Sequence, residues 1–172
     1  FALGLNLEEV EDDVPLKPED ISLAHRNVAC VTGNYSKAWA VRKAIPLRWH
    51  GVFCGYRKTD DFPFEMPDDV FFVHLKHANA EALSDTNAVR QSVADSVGED
   101  WNVNGWANPD LHAKRFFRKM AAAKELPWKE AVALGYEQIR DNPVRDAKRG
   151  IVKPPFINYV CRTVLPEWFR NV

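Results

Sequence analysis

The run Pro67-Asp68-Asp69-Val70-Phe71-Phe72-Val73-His74-Leu75-Lys76-His77 constrains the fold more than any other stretch of this chain. It is the most apolar segment. A turn signal, Met66-Pro67-Asp68-Asp69, opens it, and β-branched and aromatic residues fill its middle. Together these predict a buried central strand from about Val70 to Lys76. Side chains alternate across a strand, so Phe71, Val73 and Leu75 share one face while Val70, Phe72, His74 and Lys76 share the other. Ligands of α/β proteins gather at the carboxyl ends of strands, which makes an imidazole and an ammonium at that end a candidate site. A satisfied core histidine and a snorkelling edge lysine explain the same residues without a ligand. The H-x-x-H spacing of His74 and His77 places the two rings on opposite strand faces. They can reach one ion only if the strand ends between them. A single histidine with carboxylates from elsewhere is the better metal set, and imidazole suits Mn²⁺ or Zn²⁺ better than Ca²⁺.

The remaining pattern divides the chain. Residues 1–7 read as a short strand or edge segment, followed by an acidic loop in which Glu11-Asp12-Asp13 is a solvated face or a weak metal candidate. Three strand-like segments follow, at 27–32, 37–42 and 47–54. Gly33-Asn34 reads as the turn that closes the first. Beyond the central strand the period becomes helical. Residues 80–97 form one helix, with Leu83, Val89, Val93 and Val97 near helical spacing and Gly98 as its stop. Trp101 and Trp106 sit in a loop, as core plugs or as a platform for a ligand. Asn108 caps a second helix with Pro109 at its first position. Ala113, Phe116, Phe117, Met120 and Ala121 form the apolar stripe of that helix, and Lys114, Arg115, Arg118 and Lys119 its basic flank. A third helix runs from Trp128 to about Arg140, where Asn142-Pro143 ends it, and a last short helix or turn covers 156–164. The expected fold class is α/β or α+β: a strand-rich part at 1–77 and a mainly helical part at 78–172, packed as one compact unit.

A chain of 172 residues fits one domain and buries enough surface to need no staples. Its formal charge of −1 conceals an asymmetry. Acidic residues dominate 1–100 and basic ones 101–172, so one half is expected to fold onto the other or to offer a basic face to an anionic partner. Near-neutrality overall argues against a dedicated nucleic-acid binder. Cys30, Cys54 and Cys161 are odd in number and far apart, the pattern of free thiols in a reducing compartment rather than of a disulfide framework. No apolar run is long enough to span a membrane and no signal peptide is visible, so a cytoplasmic location is expected. A start at Phe1 rather than Met fits a processed chain or an excised fragment. No Walker loop, dinucleotide fingerprint or nucleophile elbow is present.

Four stretches carry a resemblance: Asn34-Tyr35-Ser36-Lys37-Ala38-Trp39-Ala40-Val41-Arg42, Pro46-Leu47-Arg48-Trp49, the Pro67–Lys76 run, and Leu165-Pro166-Glu167-Trp168-Phe169. Their succession resembles the later part of bacterial family-2-like glycosyltransferases, in which a hydrophobic strand ends in H-L-K. The resemblance covers roughly residues 20–80 and a few C-terminal positions. It implies a nucleotide-binding sheet of the GT-A type and transfer of a sugar from a nucleotide-activated donor to an acceptor. It also implies a divalent cation, Mn²⁺ or Mg²⁺, on the donor's diphosphate. His74 matches the late histidine of the metal shell; Lys76, Lys37 and Arg42 become the phosphate-facing cations. Two departures stand against it. No D-x-D metal motif precedes these residues, and Cys54 occupies a position where such proteins often carry histidine. These imply a C-terminal piece of a longer enzyme or a relative that no longer catalyses. A non-catalytic α+β module that binds an anionic polymer or acidic partner through its basic helices is the alternative.

Overall fold

A computed structural model describes residues 1–10, 16–17, 25–37, 56–57, 65–97, 109–146 and 151–170. The expected strands at 37–42 and 47–54, the Glu11-Asp12-Asp13 run, Cys54, and the Trp101 and Trp106 loop lie wholly or almost wholly outside them. The architecture is mixed α/β; the described residues hold a mixed sheet of four strands, a small sheet of three, and four helices.

The alternation in Ala2-Leu3-Gly4-Leu5-Asn6-Leu7-Glu8 builds β1 (Ala2–Glu8), and all seven residues are buried. Its neighbours explain why. β4 (Phe71–His74) runs parallel along one side, and β2 (Val28–Lys37) runs antiparallel along the other. β7 (Cys161–Val164) extends the sheet beyond β2, giving the order β4-β1-β2-β7. The chain's first strand is therefore an interior one. The Phe71–His74 strand, expected at the centre, lies at the edge among the described residues, and its four residues are half-buried. Apolarity alone did not rank the two, because β1 interleaves Gly4, Asn6 and Glu8 with its leucines and reads as less hydrophobic than it is buried.

β4 also ends earlier than expected. Leu75–His77 form a 3₁₀ turn, which removes Leu75 from the core face and leaves it 51 % exposed. Phe71 and Val73 keep the apolar face, packed with Leu3, Leu5, Leu7, Ala29, Val31 and Cys161. The helix α3 (Trp128–Gly135) and the π-helical turn Tyr136–Arg140 that continues it cover this face. Gly135 lets α3 approach closely: a Cβ there would lie 2.8 Å from Cγ1 of Val31.

Gly33-Asn34 does not turn the chain. β2 runs through it for ten residues, and a register shift between Ala2 and Gly4 marks an irregularity opposite. Glycine is needed at 33 for space, since a Cβ would stand 2.5 Å from the carbonyl oxygen of Pro155. The backbone N–H groups of Gly33 and Asn34 both donate to the Ile157 carbonyl, at 2.8 and 3.1 Å.

Of the helices, α1 (Ala80–Val97) holds the expected range and α2 (Pro109–Ala121) the expected start. Asn79 caps α1 through Oδ1, which accepts from the Ala82 N–H at 2.8 Å. Its expected apolar stripe is not a buried one: Leu83 and Asn87 are buried, whereas Val89 and Val93 are exposed. Among the described residues the C-terminal part holds three strands besides its helices. β5 (Val144–Asp146) and β6 (Ile151–Lys153) pair antiparallel, with β3 (Tyr56–Arg57) on the far side of β6. β7 replaces the short helix or turn expected at 156–164. Cys-Arg-Thr-Val is too short to announce itself as a strand, and it becomes one because β2 offers a free edge. The helix α4 (Glu167–Arg170) closes the described chain.

Candidate functional site

The second face of the main sheet is polar. Alternation places Gly4, Asn6 and Glu8 of β1 on it, next to Phe72 and His74 of β4 and Cys30 of β2. Asn6 is paired in register with His74 on one side and Cys30 on the other. Cys30 faces Arg162 of β7, whose Nε donates to Oε2 of Glu8 at 2.9 Å.

Aromatic stacking organises the end of β4. The Tyr35 ring stacks on His74 with centroids 4.2 Å apart. His77 stacks on Phe116 of α2 at 3.9 Å and 8°. Because the strand ends between them, the His74 and His77 rings lie on the same side, 5.7 Å apart and tilted by 36°. This overturns the expectation that a continuous strand would separate them. It also moves Lys76 off the strand face it was expected to share with His74, into the 3₁₀ turn. The Lys76 side chain lies outside the described residues. So does that of Lys37, whose backbone ends β2, and Arg42 lies outside them altogether.

Burial sets the electrostatics. His77 and Asn6 are fully buried. Neither amide atom of Asn6 has a hydrogen-bond partner among the described residues. Burial raises the Tyr35 phenol above its usual value, with Arg90 pulling it partly back. Burial likewise raises Tyr159, helped by Cys30 and Tyr35, and raises the Cys30 thiol, helped by Glu8. At neutral pH the site therefore holds a neutral thiol and two neutral phenols beside two imidazoles. Cys30 and Cys161 are buried free thiols, as expected from their number.

The rim of the site is held by a charged clasp. The Glu9 carboxylate accepts from the Ala80 N–H, at the amino end of α1, where a helix favours negative charge. The buried Arg26 guanidinium lies 3.7 Å from Glu9 and donates to the Ala78 carbonyl at 2.6 Å. The carboxyl end of β1 and the start of α1 are thereby tied around the 3₁₀ turn.

Chemically, the cluster offers two imidazoles and an amide packed against aromatic rings. Among the described residues no group of three His, Cys, Asp or Glu side chains gathers as a metal site. His74 and Asn6 could hold a cation only together with ligands from elsewhere. Of these residues His74 was legible in the sequence. Asn6, and Tyr35 and Phe116 as stacking partners of the two imidazoles, were not. The polar residue interrupting the Leu3, Leu5, Leu7 alternation was the available signal for Asn6.

Fold and site together define a mixed α/β protein with a histidine–tyrosine cluster at the carboxyl ends of its two parallel strands. No family model matches the chain, and no curated protein or solved structure matches it either. Among the described residues no helix is long and apolar enough to cross a membrane.

Proposed function

We propose that this chain contributes to a glycosyltransferase that takes a sugar from a nucleotide-activated donor, with Mn²⁺ or Mg²⁺ on the donor's diphosphate. The observation that supports it is the place of His74. It ends a strand parallel to β1, in register with an unpartnered buried amide, at the end of the sheet where α/β proteins hold ligands. In this reading His74 presents its imidazole to the cation, which would offset charge on the departing nucleoside diphosphate. Tyr35 holds the ring by stacking, and Asn6 supplies a polar atom beside it. Lys76, Lys37 and Arg42 are the cations this reading assigns to the phosphates.

The test is a thermal-shift titration with nucleoside diphosphates and nucleotide sugars, with and without Mn²⁺, on the wild type and on His74→Ala. A ligand at 100 times its Kd stabilises by about 2.7 kcal/mol. The reading expects a Mn²⁺-dependent shift that the variant loses. No shift with any nucleotide, or the same shift in both proteins, rejects it.

One observation favours the second reading, an interaction module for an anionic polymer. Lys114, Arg115, Arg118 and Lys119 of α2 are all exposed, while Met120 on the same helix is buried. Binding through that face falls steeply with salt and is indifferent to chelator, the reverse of a metal–nucleotide site.

A further inference from the structure

On the apolar side of the sheet, away from His74, an open cavity of about 630 Å³ lies between the turn before β4, α3, the π-helical turn and α4. That volume suits a small organic ligand. Part of its lining is aromatic. Trp128 and Trp168 stand 6.0 Å apart between centroids at 81°, and Phe71 leans on Trp128 at 5.3 Å. Trp168 is 59 % exposed, an unusual position for an indole that serves the core alone.

The rest of the lining is charged and mostly acidic. Asp68, Asp69, Glu137 and Asp141 face Lys129 and Arg140. Arg140 is already committed. It bonds Asp68 at 2.7 Å and Asp141 at 2.9 Å, and its guanidinium lies 4.7 Å from the centre of the Tyr136 ring. The Tyr136 hydroxyl in turn donates to the Pro67 carbonyl. An acidic surplus therefore remains, with Asp69 and Glu137 exposed on the rim. An organic cation is attracted to the face of an indole by the ring quadrupole, and Trp is the strongest such partner. The surplus charge selects in the same direction, against anions and without benefit to neutral ligands.

We propose that this cavity is a second ligand site, which binds a small organic cation by its methylated ammonium head. Trp128 and Trp168 supply the aromatic walls, and Asp69 and Glu137 the compensating charge. The site does not depend on the glycosyltransferase reading, since it shares no residue with the His74 cluster.

Calorimetric titration of the whole chain with choline tests it. The comparison ligand is choline's uncharged isostere, in which a tert-butyl group replaces the trimethylammonium. Choline is expected to saturate one site and the isostere to bind roughly tenfold more weakly or worse. Trp168→Ala should lose a similar factor. The double variant Asp69→Asn, Glu137→Gln should bring the two ligands closer in affinity. All three positions are exposed, so an unchanged melting temperature certifies each variant as folded. Equal binding of the two ligands, no saturation by choline, choline binding untouched by Trp168→Ala, or binding of a neutral monosaccharide in its place overturns the proposal.

Discussion

Asn6 occupies the middle of the most buried strand, with neither amide atom satisfied among the described residues. An unpaired buried polar group costs about 1–3 kcal/mol. A residue selected for stability alone would be apolar there. Asn6→Val should therefore raise the free energy of unfolding by about 1–2 kcal/mol, read from urea denaturation. An unchanged or lower stability would show that the amide is satisfied in solution. The buried titratable groups set a second expectation. Burial lifts the Cys161 thiol from its ordinary 9.0 to about 11. Burial first, and then Asp68, lifts Tyr136 from 10.0 to about 12. For a thiol or phenol raised on folding, the folded state keeps its proton while the unfolded state loses it. Stability is thus full below pH 9 and declines as pH rises toward 12. Chemical denaturation across that range should show a falling midpoint. Below pH 9, native Cys30 and Cys161 should resist alkylation that both accept after unfolding.

Helices α1 and α2 start where expected because their start signals are local: Asn79 caps one, and Pro109 opens the other. Strands fared worse, since their limits depend on partners. β2 continues through Gly33-Asn34 because Ile157 and Pro155 arrive from the other end of the chain to occupy that backbone. Gly33→Ala tests this. Alanine is a poor turn residue but an ordinary strand residue, so the cost reports crowding rather than backbone conformation. With a backbone carbonyl 2.5 Å from the new Cβ, a loss of about 1–3 kcal/mol is expected. A neutral result would mean that the 155–157 segment yields easily.

Across the whole molecule, the charge asymmetry resolves into ion pairs between the halves. Arg162 bonds Glu8 across 154 residues of sequence, and Arg140 bonds Asp68 across 72. Glu8 is only 2 % exposed, and that guanidinium is one of the groups that hold its carboxylate. Arg162→Met should destabilise the protein by roughly 3 kcal/mol, since breaking a buried pair leaves charge behind. The matched double change of Glu8 to Gln and Arg162 to Met should recover much of the loss. If the single variant melts like the wild type, β7 is held by its backbone pairing alone.

Local chemistry determined the helix starts, the alternation of Phe71 and Val73 against Phe72 and His74, and the free thiols. Each of these follows from neighbours within a few residues. Tertiary structure alone decided which strand is interior, because burial is set by what covers a strand and not by its own apolarity. It also decided that His74 and His77 share one side, since the strand stops where the clasp of Glu9, Arg26 and Ala80 draws the chain into a 3₁₀ turn. The aromatic and acidic cavity was equally invisible in sequence. Its walls come from segments around 68, 128, 140 and 168, which only the closed sheet brings together.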